Sequence, residues 1–296
     1  MPTRTAKHHK NKRAPDRKGF SKNWLIIAVA VAASAGLLMY LSFRSGSSEG
    51  AGKPVSNQSA TSSESQSAQK IDYEVIDTYP HDPEAFLQGL VWHNGGFYES
   101  TGLNGQSTLR RVEFPSGRVL KKIDLSTDLF GEGLALVDDH LVQITWQTHR
   151  GFVYDRETFR LIREFAYNTE GWGITYDGKN LIMSDGTSTL TYLDPQTYQP
   201  VKKLNVTMNG RPVFELNELE FIEGEIWSNV WQQDLILRID PATGRVNSYL
   251  DMRGVLAREF RTGREDVLNG IAYDAERKRI FISGKRWPRI IEIKLK

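Results

Sequence analysis

The stretch EGLALVDDHLVQITW, Glu132 to Trp146, decides the fold. Two short apolar runs flank a turn built on Asp138 and Asp139. Runs of this length, bounded by turn formers, read as a strand, a tight turn and a second strand. The stretch opens on a carboxylate, Glu132, set between Gly131 and Gly133 at the mouth of the first strand. Glu is not a favoured turn residue and the positions around it are apolar, so a charge here needs a reason.

The stretch is one copy of a repeat. QGLVWHNGGFYESTG from Gln88, WGITYDGKNLIMSDG from Trp172, NELEFIEGEIWSNVW from Asn217 and NGIAYDAERKRIFISGK from Asn269 align with it. Each copy has a variable residue, then usually Gly, then Leu or Ile, a turn, and a second apolar strand. The copies start 44, 40, 45 and 52 residues apart. Between them lie FPSGRVLKKIDL, DRETFRLIREF, DPQTYQPVKKL and DPATGRVNSYL, each a tight turn leading to an outer strand. A period of about 40–50 residues with four strands per unit is the signature of a β-propeller. Five units predict five blades in an all-β fold; a β-sandwich would not produce such regular repeats. The last unit ends at RIIEIKLK and lacks a strand, which YEVIDTYPHD at the start of the domain would supply. The long fourth spacing places an insertion with a helical turn at residues 252–267 over one face.

The propeller accounts for residues 71–296. Residues 1–23 carry eight Lys/Arg against one acid, and residues 24–43, WLIIAVAVAASAGLLMYLSF, carry no charge. As a helix, twenty residues span roughly 30 Å, one hydrocarbon core. A cleaved signal sequence has a shorter apolar region, so a retained anchor is expected. The basic flank predicts a cytoplasmic N-terminus, with the propeller on the other side of the membrane, in the periplasm of a bacterium. Residues 44–70 are rich in Ser, Gly, Ala and Gln and read as a flexible tether. With tail and tether set aside, residues 71–296 hold 27 Lys/Arg and 33 Asp/Glu, a net charge of −6. An acidic domain argues against a nucleic-acid partner.

The repeat register also points to a site. It puts Gln88, Glu132, Trp172, Asn217 and Asn269 at one structural position, the start of the innermost strand of each blade. These strand mouths converge on the central channel at one face. A purely structural repeat would use one residue throughout, whereas here the position holds amides, a carboxylate and an indole. The ends of the second strands add Trp146, Asp185, Trp231 and Lys285. An apolar pocket with a few convergent polar groups is the usual composition of a ligand site. A structural reading stands beside this one. Asn and Asp next to Gly also cap turns, which applies to Asn217, Asn269 and Asp185. A Trp at a strand end also fills a blade interface, and Lys285 also reads as a solvated loop charge.

Other chemistries find no support. The domain's four His residues are His81, His93, His140 and His149, with no pair at metal-ligand spacing, so neither a metal nor a cofactor is expected. There is no phosphate loop, dinucleotide fingerprint or nucleophile elbow. A non-catalytic propeller scaffold is the alternative, since fold alone does not fix function.

The motifs FLQGL (Phe86 to Leu90), FYESTG, GEGL, WGIT, LNELEF, NVW and LNGIAY together resemble the plant- and bacterial-type glutaminyl-peptide cyclotransferases. The resemblance covers nearly all of residues 71–296. It implies a five-bladed propeller that converts the N-terminal glutamine of peptides and proteins to pyroglutamate with release of ammonia, without a metal. The residues matching that family's site are Phe86, Gln88, Glu132, Trp146, Trp172, Asn217, Trp231, Lys285 and Asn269. The resemblance implies a proton shuttle at Glu132, oxyanion donors among Lys285, Asn217 and Gln88, and a substrate cage of Phe86, Trp146, Trp172, Trp231 and Asn269. The family usually has Thr where this chain has Leu87, a side chain expected to point away from the channel.

Overall fold

The computed structural model describes residues 67–296. The expected basic tail, membrane anchor and most of the tether lie outside the described residues. Among those described, no helix is long and apolar enough to cross a membrane.

Five four-stranded antiparallel units form the domain. Blade 1 runs from Leu87–His93 through Gly96–Thr101 and Thr108–Glu113 to Val119–Asp124. Blade 2 spans Gly131–Val137 to Leu161–Ala166, blade 3 Ile174–Tyr176 to Pro200–Asn205, and blade 4 Leu216–Ile222 to Val246–Asp251. Blade 5 has Leu268–Asp274, Arg279–Gly284 and Arg289–Leu295, and its outer strand is Tyr73–Pro80 from the start of the domain. The innermost strands contact one another in order around the ring, and blade 5 closes onto blade 1. Closure by one terminal strand from each end is the arrangement expected from sequence.

The periodicity of the strands explains why the blades stack. In Gly131–Val137, successive side chains point to opposite faces. Leu134 and Leu136 pack toward blade 1, while Ala135 and Val137 pack toward blade 3. Both faces are covered, so the strand reads as a continuous apolar run rather than as an alternation. The same logic yields five hydrophobic clusters, one at each blade interface. Leu87 lies in the cluster between blades 5 and 1, with Phe97, Ala272 and Phe281, away from the channel as expected.

Gly133 follows from the same close packing. A Cβ there would sit 2.6 Å from the Ile174 backbone nitrogen in blade 3, and one on Gly131 would sit 2.7 Å from the Thr101 carbonyl oxygen in blade 1. The glycines around Glu132 therefore admit neighbouring strands. Blade 4 has Glu218 where the other blades have Gly. Its carboxylate is buried and accepts the Leu90 N–H of blade 1 at 3.3 Å and the Ile271 N–H of blade 5 at 2.9 Å. Burial pushes this carboxyl well above the ordinary range, aided by the charge of Glu220.

Two details differ from the sequence reading, and a third, the helical turn in the insertion, agrees with it. Gln69–Lys70, placed in the tether, forms a short strand parallel to Val246–Asp251. Its pairing is made by the backbone, which leaves no side-chain signature. Trp172 precedes its strand, which begins at Ile174, although backbone pairing extends back to it through a Trp172 N–H bond to the Ser184 carbonyl. The insertion at 252–267 contains a single 3-10 turn, Arg258–Phe260. Its Met252, Val255 and Leu256 add to the core between blades 4 and 5.

Candidate active site

The site position is a β-bulge in four blades. Strand pairing shifts register between Leu87 and Gly89, Gly131 and Leu134, Leu216 and Leu219, and Leu268 and Ile271. Gln88, Glu132, Asn217 and Asn269 sit inside these shifts. A bulge breaks the in-out alternation and re-aims a side chain. This device lets an apolar strand begin with a polar group directed at the channel.

A cavity of about 410 Å³ opens at this face. The volume lies within the usual range for small-molecule sites. Phe86, Gln88, Glu132, Trp146, Trp172, Asn217, Trp231 and Lys285 all line it. Asn269 does not reach the wall. It is fully buried behind Gln88, and its Nδ2 donates to Gln88 Oε1 and to the Leu87 carbonyl, both at 3.2 Å. Gln88 Nε2 in turn donates to Glu132 Oε1 at 3.0 Å. Asp185 is drawn off to cap a turn, accepting the Thr187 N–H at 3.1 Å.

Glu132 is 6% exposed. Desolvation drives its pKa well above that of a free carboxyl; Lys285 pulls it down and Glu170 pushes it up. Burial among rings therefore outweighs the nearby cation. Burial also lowers the pKa of Lys285, while Glu132 and Asp266 oppose that shift. The Lys285 ammonium lies 5.0 Å over the Phe86 ring, so a protein cation already occupies that aromatic face. Asn217 is 3% exposed, and its Oδ1 has no partner among the described residues.

Sequence reasoning missed Phe130, Gln232, Asp266 and Val267 on the wall. It also missed Glu170, which bonds to two of the indoles. A usable signal was present. Two positions before each site residue stand Phe86, Phe130, Glu170, Glu215 and Val267. In four blades, the carbonyl at this position accepts the N–H of the residue just after the second strand: Gly102, Trp146, Trp231 and Lys285. That bond brings both sets of side chains to one rim. Asp266 directly precedes Val267 and Gln232 directly follows Trp231, each one position beside this regular pair.

The glutamine cyclotransferase family model matches residues 51–295. The glutaminyl-peptide cyclotransferase of Arabidopsis thaliana is 41% identical over 286 residues, which cover 95% of this chain and 85% of that protein. Among solved structures, Myxococcus xanthus glutaminyl cyclase matches with a TM-score of 0.72 at 38% identity, covering 77% of this chain and 98% of that one.

Proposed function

The chain belongs to the glutamine cyclotransferase family, and on that premise we propose how its pocket works. The enzyme converts an N-terminal glutamine to pyroglutamate with release of ammonia. Glu132 moves the proton that this exchange requires.

The α-amine and the γ-carboxamide belong to one residue, so the enzyme's task is to fold a side chain into attacking geometry. Orientation of this kind supplies a large part of the rate. The walls of Trp146, Trp172, Trp231 and Phe130 fit this role, gripping methylenes and the planar amide. The neutral amine attacks the amide carbon, and the C–N bond forms as the carbonyl becomes an oxyanion. Lys285 stabilises that charge, and the Asn217 amide stands on the wall of the same cavity. Glu132 takes the proton lost by the attacking nitrogen and delivers it to the departing one. The old C–N bond then breaks, ammonia leaves and the lactam carbonyl re-forms. The carboxylate begins and ends the cycle unprotonated.

The environment of Glu132 carries this reading. A free Glu, near ~4.3, is a poor base for an amine near ~7.7–8.0. Burial raises the carboxyl toward the amine, where a group that must both take and give a proton works best. Gln88 is already engaged with Glu132 and Asn269, which suits it to aiming the carboxylate rather than to holding the oxyanion. The test is ammonia release from a Gln-initiated peptide by the wild-type chain and by Glu132→Gln, with loss of turnover expected in the variant.

We also propose that residues 24–43 anchor the chain, with the propeller outside the cytoplasm and residues 44–66 as the tether. The apolar, uncharged run and its basic flank support this. Membrane fractionation and protease accessibility in intact cells test it; recovery of the full-length chain in the soluble fraction would contradict it.

A further inference from the structure

An arc of aromatic rings lines the pocket, and one link in it is not a contact between rings. Phe86 meets Phe130 edge to face with centroids 6.1 Å apart, and Phe130 meets Trp146 at 5.6 Å. Farther round, Trp172 meets Trp231 at 5.6 Å, nearly perpendicular at 83°. Glu170 joins the two groups. Its Oε2 accepts the indole N–H of Trp146 at 2.7 Å and that of Trp172 at 2.9 Å. Its Oε1 accepts the side-chain amide of Gln147 at 3.0 Å. Glu170 lies on the connector between blades 2 and 3, where the first two blades carry Phe86 and Phe130.

We propose that Glu170 is a positioning residue. By holding two indole N–H groups on one carboxylate oxygen, it fixes Trp146 against Trp172 and makes the five rings one wall. The substrate glutamine folds against that wall, so the proposal rests on the reading of this pocket as the cyclisation site. The chemistry favours a carboxylate at this point. An indole nitrogen only donates, so two facing indoles need a shared acceptor. Bonds to an ionised acceptor are about twice as strong as neutral ones. Burial raises the Glu170 carboxyl, but bonds from Gln147, Trp172 and Trp146 outweigh it and hold the group below the ordinary range. Without the clamp each indole could turn about its side-chain torsions. A displacement of about 1 Å in a positioning element can cost on the order of 100-fold in rate.

The test compares Glu170→Ala and Glu170→Gln in the full-length chain, reading kcat and KM with a Gln-initiated peptide. Proton–nitrogen spectra of the indole N–H groups, assigned with Trp146→Phe and Trp172→Phe, read the clamp directly. The alanine variant should lose about 100-fold in kcat, with a smaller change in KM, and should displace both indole signals. The glutamine variant retains an oxygen acceptor and should recover most of kcat and both signals. It should also move the acid limb of kcat to lower pH. Of the charges acting on Glu132, Lys285 favours its ionised form and Glu170 disfavours it, so removing Glu170's charge leaves Lys285 unopposed. Wild-type turnover with undisplaced signals in Glu170→Ala would overturn the proposal, as would a glutamine variant as impaired as the alanine one. If the alanine variant does not fold, the glutamine variant decides: displaced indole signals with an unmoved acid limb overturn the proposal. Glu132→Gln separates this idea from the reading beneath it. Turnover in that variant removes the reading of the pocket, whereas an inert Glu132→Gln beside a normal Glu170→Ala removes only the clamp.

Discussion

The side-chain amide of Gln88 donates to Oε1 of Glu132 at 3.0 Å across the boundary between blades 1 and 2. Asn269 of blade 5 holds the other end of that amide, at 3.2 Å. Three consecutive blades in the ring thus aim one carboxylate. Asn269 carries this influence without touching the cavity.

The relay predicts a particular kinetic pattern. Asn269→Ala should lower kcat by roughly 10-fold, the scale of one lost hydrogen bond of about 1 kcal/mol or more. KM should change little, because Asn269 is not on the wall. In a Gln88→Ala background the same substitution should add little, since coupled groups do not act additively. Independent effects in that double-mutant cycle would contradict the relay.

The acid limb of kcat should lie above the range of an ordinary carboxyl, because Glu132 works as a base and desolvation raises it. Lys285 opposes that rise. Lys285→Met should therefore move the limb to higher pH while lowering kcat by about 100- to 1,000-fold through loss of an oxyanion donor. In kcat/KM, which reports the free enzyme and free substrate, the amine titrates alike for both enzymes, so the difference between those profiles belongs to the enzyme. A limb displaced to lower pH in the variant would contradict the assignment.

Glu132 should also cost stability. Its folded-state pKa is raised, so the folded chain binds this proton more tightly than the unfolded chain. Stability is lost as pH rises from about 4.3 through the folded value. Each unit of elevation corresponds to about 1.4 kcal/mol, or roughly 3–6 °C in a domain of this size. Glu132→Gln should melt higher than wild type at neutral pH, and the gain should vanish near pH 4. An equal or lower melting temperature at neutral pH would show that burial is not the dominant influence on this carboxyl.

Glu218 fills the channel where the other blades have glycine. Glu218→Ala leaves the buried N–H groups of Leu90 and Ile271 without partners, at about 1–3 kcal/mol each. A loss of about 2–5 kcal/mol is expected in denaturant unfolding. A change below ~1 kcal/mol would mean that water replaces the carboxylate.

The sequence carried the propeller because every blade repeats one pattern, and it carried Glu132 because a charge breaks that pattern at a regular position. Other features were less legible for physical reasons. Phe130 and Glu170 stand at an equally regular position, two residues earlier, but a Phe before a strand looks like core and a Glu in a connector looks solvated. Backbone bonds from second-strand ends reveal that this position faces the rim in four blades, and for Glu170 its bonds to the two indoles do so. Bulges leave no composition signal, so the aim of Gln88 and the withdrawal of Asn269 required coordinates. Gln69–Lys70 lies outside the repeat altogether.

Glu132→Gln measured for ammonia release tests the account most directly. The full-length wild-type chain should release ammonia and form pyroglutamate in equal amounts from a Gln-initiated peptide. The variant should keep its near-ultraviolet circular dichroism and lose roughly 100- to 10,000-fold in kcat, the contribution of a positioned acid–base group. Turnover within about 10-fold of wild type, below that range, in a folded Glu132→Gln would contradict the proton-shuttle role.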